Sequence, residues 1–431
     1  MIELIKRIIA SESLVSNDPY DIWATRLGRR VKRFYHAHPS LGVPPSVALT
    51  VFDRYINNNA RWGYVRREYA GVRAMAAQAA ILMCRWTGDA KFLDLAAQHL
   101  DWLSHNRAKT SVGAGWGHGF EWVVSQHLTY PADAGLATTT PYALEALVIY
   151  NVVSGSGRFR KLIDEVLAFY DHGLVRLIDS DKYLATSYSD RPDRVITNAV
   201  SYVMLGYALT LDVVPECCRN EHLNKVERMK NFVESMQQPN GAWYYDPFEP
   251  SFIDCFHSCI IVKNLKKTEW LLGGTSSGAA EKGFKYIKEH CYDRSDGLMK
   301  RFSIAPRPWV AKYDLYDNAE AIVAALMVGD HRFARTLLER VQGTFVRGAT
   351  IFSEIDKLGF KKNPDTLRWA VMPFSIAYLL AQVPDALRLY GAPITCAEAL
   401  PIFKPQRSLQ PISGDTGVPS VATSGALKCA E

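Results

Sequence analysis

The chain has 431 residues, 48% of them hydrophobic, which is enough to bury a large core and more than one compact unit normally holds unless a repeated architecture extends that core. Its formal net charge of +6, from 50 basic and 44 acidic residues, is mild and evenly dispersed, and no basic run is interleaved with aromatics, so nucleic acid is excluded as a partner. No apolar run reaches bilayer-spanning length, since Ala74 to Met83 is closed by Cys84 and Arg85, and a soluble protein is expected.

At the N-terminus, Glu3, Lys6 and Arg7 interrupt what would otherwise resemble a leader, so Met1 to Ala10 reads as a helix packed on the body. The eight cysteines follow no disulfide framework, which points to reduced thiols and a cytoplasmic setting. From there helical periodicity recurs with turn punctuation at roughly 55 to 65 residues, the length of two helices and two loops. Six hairpins result. Their first helices begin near Gly71, Thr139, Ile196, Ile253, Asp314 and Leu367, and five second helices begin near Lys91, Arg158, Glu221, Ala279 and His331. The sixth partner is expected from Asp18 to Ala37, closing the ring.

The first helices are apolar nearly all round, as in Ala319 to Met327, and belong inside; the second helices carry one polar face and belong outside. The pattern predicts an all-α fold, an (α/α)6 toroid spanning residues 1–395, with an irregular or disordered tail over 396–431, where Pro, Ser, Gly and Thr replace the periodicity. Short turns such as Thr87 to Ala90 join the helices of a pair, and long loops lead to the next inner helix. All the long loops therefore gather at one end, where they form a cleft.

Those loops carry the candidate site. Trp116, Trp122, Trp243, Tyr244, Tyr245, Trp309 and Tyr313 are flat rings suited to the apolar face of a sugar, and His118 and Tyr188 lie in the same loops. Asp254 and His257, three residues apart at an inner helix start, share a face and suit an oriented imidazole acting as general acid or base; the bland alternative is a helix cap beside a core histidine. Cys255, His257 and Cys259 alternate around the helix, so they do not converge on a metal, and no metal or cofactor is expected. Asp314, Asp317 and Glu320, with Tyr313 and Tyr316 beside them, and Glu121 behind Trp116 supply carboxylates of the kind glycosidic cleavage uses in pairs. Arg66, Arg67, Arg191, Arg194, Arg301, Arg307 and Arg368 can clamp an acidic sugar. Gly273 to Gly278 lacks the strand and lysine of a phosphate cradle.

The segments Trp116 to Ser125, Thr138 to Leu147, Gly241 to Tyr245, Phe252 to His257 and Tyr313 to Leu315 resemble a bacterial family of six-hairpin α/α-toroid proteins associated with polysaccharide biosynthesis. The resemblance covers about residues 60 to 385. It implies a glycan-related role and places Trp116, Glu121, Trp122, Trp243, Tyr244, Asp254, His257 and Asp314 at recurring positions of the family. Glu121 stands where the family has Asp, Val123 where it has Gln, Cys255 where it has Asn, and Tyr316 where it has His. The expectation is an enzyme acting on an acidic oligosaccharide or polysaccharide. Asp254 and His257 lie near the chemistry, with Glu121 or Asp314 as the second group. Hydrolysis ranks ahead of uronate epimerisation or β-elimination, with a non-catalytic glycan-binding or assembly module as the rival. A cluster of Tyr, His and Arg without a carboxylate pair would favour epimerase or lyase.

Overall fold

The computed structural model describes residues 1–274, 276–306, 310–383 and 385–392. Its helices are α1 (Ile2–Ile9), α2 (Asp21–Ala24), α3 (Arg26–Ala37), α4 (Pro39–Val51), α5 (Ala70–Thr87), α6 (Lys91–His105), α7 (Thr140–Ser154), α8 (Arg160–Ala168), α9 (Thr197–Leu209), α10 (Glu216–Ser235), α11 (Cys255–Leu271), α12 (Ala279–His290), α13 (Leu315–Met327), α14 (His331–Phe345) and α15 (Met372–Gln382).

The protein is an (α/α)6 toroid. Helix α5 packs on α7, α7 on α9, α9 on α11, α11 on α13, α13 on α15, and α15 returns to α5, which closes an inner ring. The reason lies in composition: α9 and α13 are buried along their whole length, and only helices apolar on every side tolerate neighbours on both flanks and behind. Outside this ring, α6, α8, α10, α12 and α14 each pack on the inner helix before them. They are amphipathic. Helix α14 buries Ala334, Leu337, Leu338, Val341 and Phe345 at helical spacing and leaves its other face to solvent.

The sixth outer position departs from expectation. It is α1 that packs on α5, with Ile5 and Ile9 completely buried, each contributing about 1.5–3 kcal/mol. The segment expected there, Asp18 to Ala37, forms α2 and α3 instead. Helix α3 carries five basic residues and no acidic one, too polar for the body, and it packs on α2, on α4 and on the strand Trp122–Val123 at the loop end.

Short strands stiffen the long loops. Ala311–Asp314 pairs with Thr350–Asp356, which also pairs with Lys361–Pro364 and Val346–Arg347, and Ile253–Asp254 pairs with Phe302–Ile304. Two of these strands run straight into α11 and α13, so the first residues of those inner helices are held from both sides. Residues 396–431, expected as an irregular tail, lie outside the described residues.

Candidate functional site

A cavity of about 170 Å³ opens at the loop end of the ring. Every inner helix supplies lining from its first turns or the turn just before: Gly71 and Met75, Thr139 and Tyr142, Asn198 and Tyr202, Phe256, His257 and Ile260, Tyr316, and Trp369 and Pro373. The loops add Tyr20, Tyr69, His118, Phe120, Trp122, Tyr188 and Arg368. The starts of the inner helices converge on one hollow, and their dipoles favour oxygen ligands with partial or full negative charge.

His257 sits in the first turn of α11. Asp254 caps that helix by accepting from the His257 backbone N–H at 3.1 Å, and the same carboxylate accepts from Nδ1 of the imidazole at 2.8 Å. One residue therefore sets the helix start and the ring orientation. Because the carboxylate only accepts, the Nδ1 position carries a proton, and in the neutral ring Nε2 holds a lone pair. The ring is held between Phe256 and Tyr245, with centroids 3.8 and 4.7 Å away.

His118 has the opposite arrangement. Arg368 Nη2 donates to its Nδ1 at 2.8 Å, and a guanidinium only donates, so Nδ1 accepts and the proton resides on Nε2. Burial, with the charge of Arg368, pushes the His118 pKa well below the usual histidine range and keeps the ring neutral. Arg368 is itself fixed by Asp18 at 3.3 Å and lies over the ring of Trp369 at 4.5 Å. The cavity thus holds one imidazole with a free lone pair and another with a free N–H.

The floor is a set of three phenols. Tyr142 Oη lies 2.6 Å from Tyr202 Oη and 3.1 Å from Tyr316 Oη, joining α7, α9 and α13. Burial raises all three above the ordinary tyrosine range, so they are neutral hydroxyls able to donate. Beneath them Lys263 and Glu320 form a buried ion pair at 2.7 Å. Two lining atoms, the Trp369 indole nitrogen and Asn198 Oδ1, are buried without a protein partner, a donor and an acceptor that a polyhydroxylated ligand can satisfy.

Of the residues singled out from sequence, His118, Trp122, Tyr188, His257, Tyr316 and Arg368 line this cavity together. Others are placed differently. Trp116 and Trp243 were expected on the rim, but both are core: their indole N–H groups donate to the carbonyls of Leu103 at 3.1 Å and Val233 at 2.9 Å. Tyr313 is buried and donates to Asp293 and Asp296 in a loop. Asp314 caps α13 by accepting from Tyr316 N–H at 2.8 Å, Asp317 accepts from Phe256 N–H at 3.0 Å, and both lie 3.2 Å from Arg301. Those two carboxylates therefore stand behind the cavity wall rather than in it. Glu121 pairs with Arg29 at 2.8 Å at the loop surface. Arg191 is exposed, and Arg194 lies between Tyr188 and Tyr245, bonded to the Tyr245 hydroxyl at 3.3 Å. Tyr244 lines a small hollow behind His257, shared with Asp254. Arg307 and Trp309 lie outside the described residues.

Sequence reasoning missed Tyr20, Tyr69, Phe120, Asn198, Phe256 and Trp369 as lining, and Tyr142 and Tyr202 as the floor. The available signal was position: in a toroid, the second or third residue of each inner helix faces the axis at the loop end, whatever its type. Tyr142, Asn198, His257 and Tyr316 all satisfy that rule.

No protein-family model and no curated protein sequence matches the chain. Solved structures do match. A sugar epimerase from a ruminal bacterium superposes with a TM-score of 0.56 at 12% identity, over 76% of this chain and 89% of that one. Cellobiose 2-epimerase from Spirochaeta thermophila gives 0.55 at 14% identity, over 82% and 98%. A glycosyl hydrolase family 88 protein from Bacteroides vulgatus gives 0.50 at 13%, over 76% and 93%. At these identities the likeness establishes the toroid fold.

Proposed function

We infer that the cleft moves a proton on a carbon atom of a sugar, next to a carbonyl or carboxylate, and so works as an epimerase or isomerase. One observation carries this reading: two imidazoles of opposite hydrogen-bonding character line one cavity, and among the described residues no carboxylate lines it with them. Glycosidic hydrolysis, the reaction ranked first from sequence, uses two carboxylates facing the scissile bond. Asp314 and Asp317 are instead committed to helix starts and to Arg301.

The chemistry follows from the groups. His257 Nε2 takes the proton from the carbon, the C–H electron pair moves into the bond to the adjacent carbon, and the carbonyl electrons move onto oxygen. The enolate oxygen accepts from His118 Nε2–H and from the phenols of the floor, donors already oriented before the charge develops. Returning a proton to the other face gives the epimer; returning it to the former carbonyl carbon, while the neighbouring hydroxyl loses its proton to become the new carbonyl and the enolate oxygen gains one to become a hydroxyl, gives the isomer. Arg368 suits an acidic sugar, whose carboxylate it can neutralise, and the same enolate would serve a lyase if a leaving group stood on the next carbon. The fold hosts proteins described as sugar epimerases as well as a glycosyl hydrolase, so it permits either chemistry.

The wider setting belongs to the same proposal. The family resemblance supports a place in polysaccharide biosynthesis, and the buried thiols Cys84, Cys255, Cys259 and Cys291, which form no disulfide among the described residues, support a cytoplasmic one. The test is product analysis on a panel of neutral reducing disaccharides and uronate-containing oligosaccharides. Isomeric products with unchanged chain length are expected; new reducing ends from cleaved linkages, without isomers, would overturn the reading in favour of hydrolysis.

A further inference from the structure

Epimerisation at carbon moves two protons: one leaves toward His257, and another arrives on the opposite side. His118 is not the source of the second. Its Nδ1 already accepts from Arg368, so losing the Nε2 proton would leave an imidazolate, a far stronger base than a phenolate. A phenol is the better acid, and the cavity floor holds Tyr142, Tyr202 and Tyr316 together.

Tyr142 and Tyr316 stand on α7 and α13, opposite each other in the ring of inner helices, yet their hydroxyls come within 3.1 Å, so they meet near the ring axis. His257 stands on α11, with α9 between it and α7. His257 and Tyr142, each the third residue of its helix, therefore enter the hollow from different sides. Three hydroxyls carry three protons, and the trio makes two hydrogen bonds, both through Tyr142 Oη. One proton is left over, and Tyr142, which can donate only once, accepts from at least one neighbour. No other group bonds these hydroxyls among the described residues. Tyr142 is partly exposed where Tyr202 and Tyr316 are buried, so it is the member a ligand reaches.

Tyr142 is also the phenol best supported after losing a proton. Its oxygen can then accept from Tyr202 and Tyr316 together, and Lys263 lies 5.9 Å from the centre of its ring. Burial raises the Tyr142 pKa and Glu320 adds to the rise, while Lys263 and the two hydroxyls oppose it. Burial lifts Tyr202 and Tyr316 well above the ordinary tyrosine range, so those two keep their protons. A buried ion pair such as Lys263 with Glu320 is a poor source of stability beside apolar packing, and its place under Tyr142 gives it this other use.

We propose that Tyr142 is the second catalytic residue and delivers a proton to the face of the carbon opposite His257, which makes the cleft a two-base epimerase. The proposal rests on the reading of His257 as the group that takes the first proton. The carbon–carbon electron pair of the enolate takes the Tyr142 Oη proton, the carbonyl re-forms from the electrons on the enolate oxygen, and the O–H pair stays on Tyr142 as a phenolate. His257 now holds the proton taken from the sugar and gives it to water. Water returns a proton to the phenol trio, and both groups regain their starting state.

The test runs the panel of reducing disaccharides and uronate-containing oligosaccharides in heavy water and stops the reaction before product reverts. Wild type should place solvent deuterium on the reacting carbon of the epimer. Tyr142→Phe should lower epimer formation about 10²- to 10⁴-fold, while the recovered substrate continues to exchange that C–H for deuterium through His257. Epimer formed at the wild-type rate, or equal losses of epimer and exchange in a folded variant, overturns the proposal. Wild type alone decides the matter if the variant does not fold: epimer that keeps the substrate's own hydrogen in its first turnovers shows one group serving both faces, and overturns it too. Wild type that neither exchanges nor forms an epimer instead removes the reading of His257 on which the proposal rests, so the two failures are told apart.

Discussion

Arg368 donates to Nδ1 of His118 at 2.8 Å, and this single bond fixes which nitrogen of a cavity-lining imidazole carries the proton. The His118 pKa is held well down by burial and by Arg368. In the folded protein the ring then stays neutral at pH values where the unfolded chain's histidine, with its ordinary pKa, takes up a proton. His118 therefore costs stability as pH falls below about 6.5 and nothing above it. Nitrogen NMR of wild type should show the Nε2–H tautomer persisting below the pH at which a free histidine takes up its proton. Arg368→Met should raise the apparent pKa and mix the tautomers; an unchanged spectrum would remove Arg368 from this role.

Asp254 does two jobs, so its variants should separate them. Asp254→Asn keeps an acceptor for the helix start and should leave unfolding nearly unchanged, yet it cannot hold Nδ1–H as a carboxylate does. Turnover should fall about 10²- to 10⁴-fold with little change in KM. Asp254→Ala should add a stability loss of about 1 kcal/mol from the missing cap, read by chemical denaturation. Equal stability losses for both variants would contradict the division.

Asp314 shares Arg301 with Asp317, and burial pushes the Asp314 carboxyl up to about 7 and Asp317 upward as well. An unfolded Asp ionises near 4, so between about pH 4 and 7 the folded state holds the extra proton and stability declines as pH rises. Asp314→Asn, which keeps the cap, should flatten that decline. Denaturation at about pH 5 and pH 8 should show the variant losing more at the lower pH; a loss equal at both values would refute the shift.

Trp243 tests the reassignment of the aromatic residues. Its indole ring lies against Gly283, where an added Cβ would fall 2.3 Å from ring carbon Cζ3. Gly283→Ala should therefore cost about 1–3 kcal/mol through overpacking and leave KM for any sugar unchanged. A KM effect without a stability loss would return Trp243 to the binding surface.

The toroid was legible because its signal is collective: each inner helix is apolar on all sides and each outer helix on one, and the alternation survives errors of a few residues at any boundary. His257 and Asp254 were legible because three-residue spacing fixes their mutual geometry at a helix start. Trp116, Trp243 and Tyr313 were misplaced because loop aromatics fill gaps as readily as they form platforms, and only coordinates show that their polar edges are already bonded inside. The Asp18 to Ala37 segment misled through length alone; its charge, concentrated in α3, was the evidence against a place in the ring. The Tyr142, Tyr202 and Tyr316 floor escaped notice because its members lie far apart in sequence and each resembles an ordinary core tyrosine.

The central claim is that His257 exchanges a proton with carbon, and the most direct measurement is proton NMR of candidate sugars incubated with the protein in heavy water. The account predicts loss of one C–H signal beside a carbonyl or carboxylate as deuterium enters, and abolition of that loss by His257→Ala without unfolding. A sugar turned over with no deuterium on carbon, or exchange that persists in His257→Ala, would contradict it.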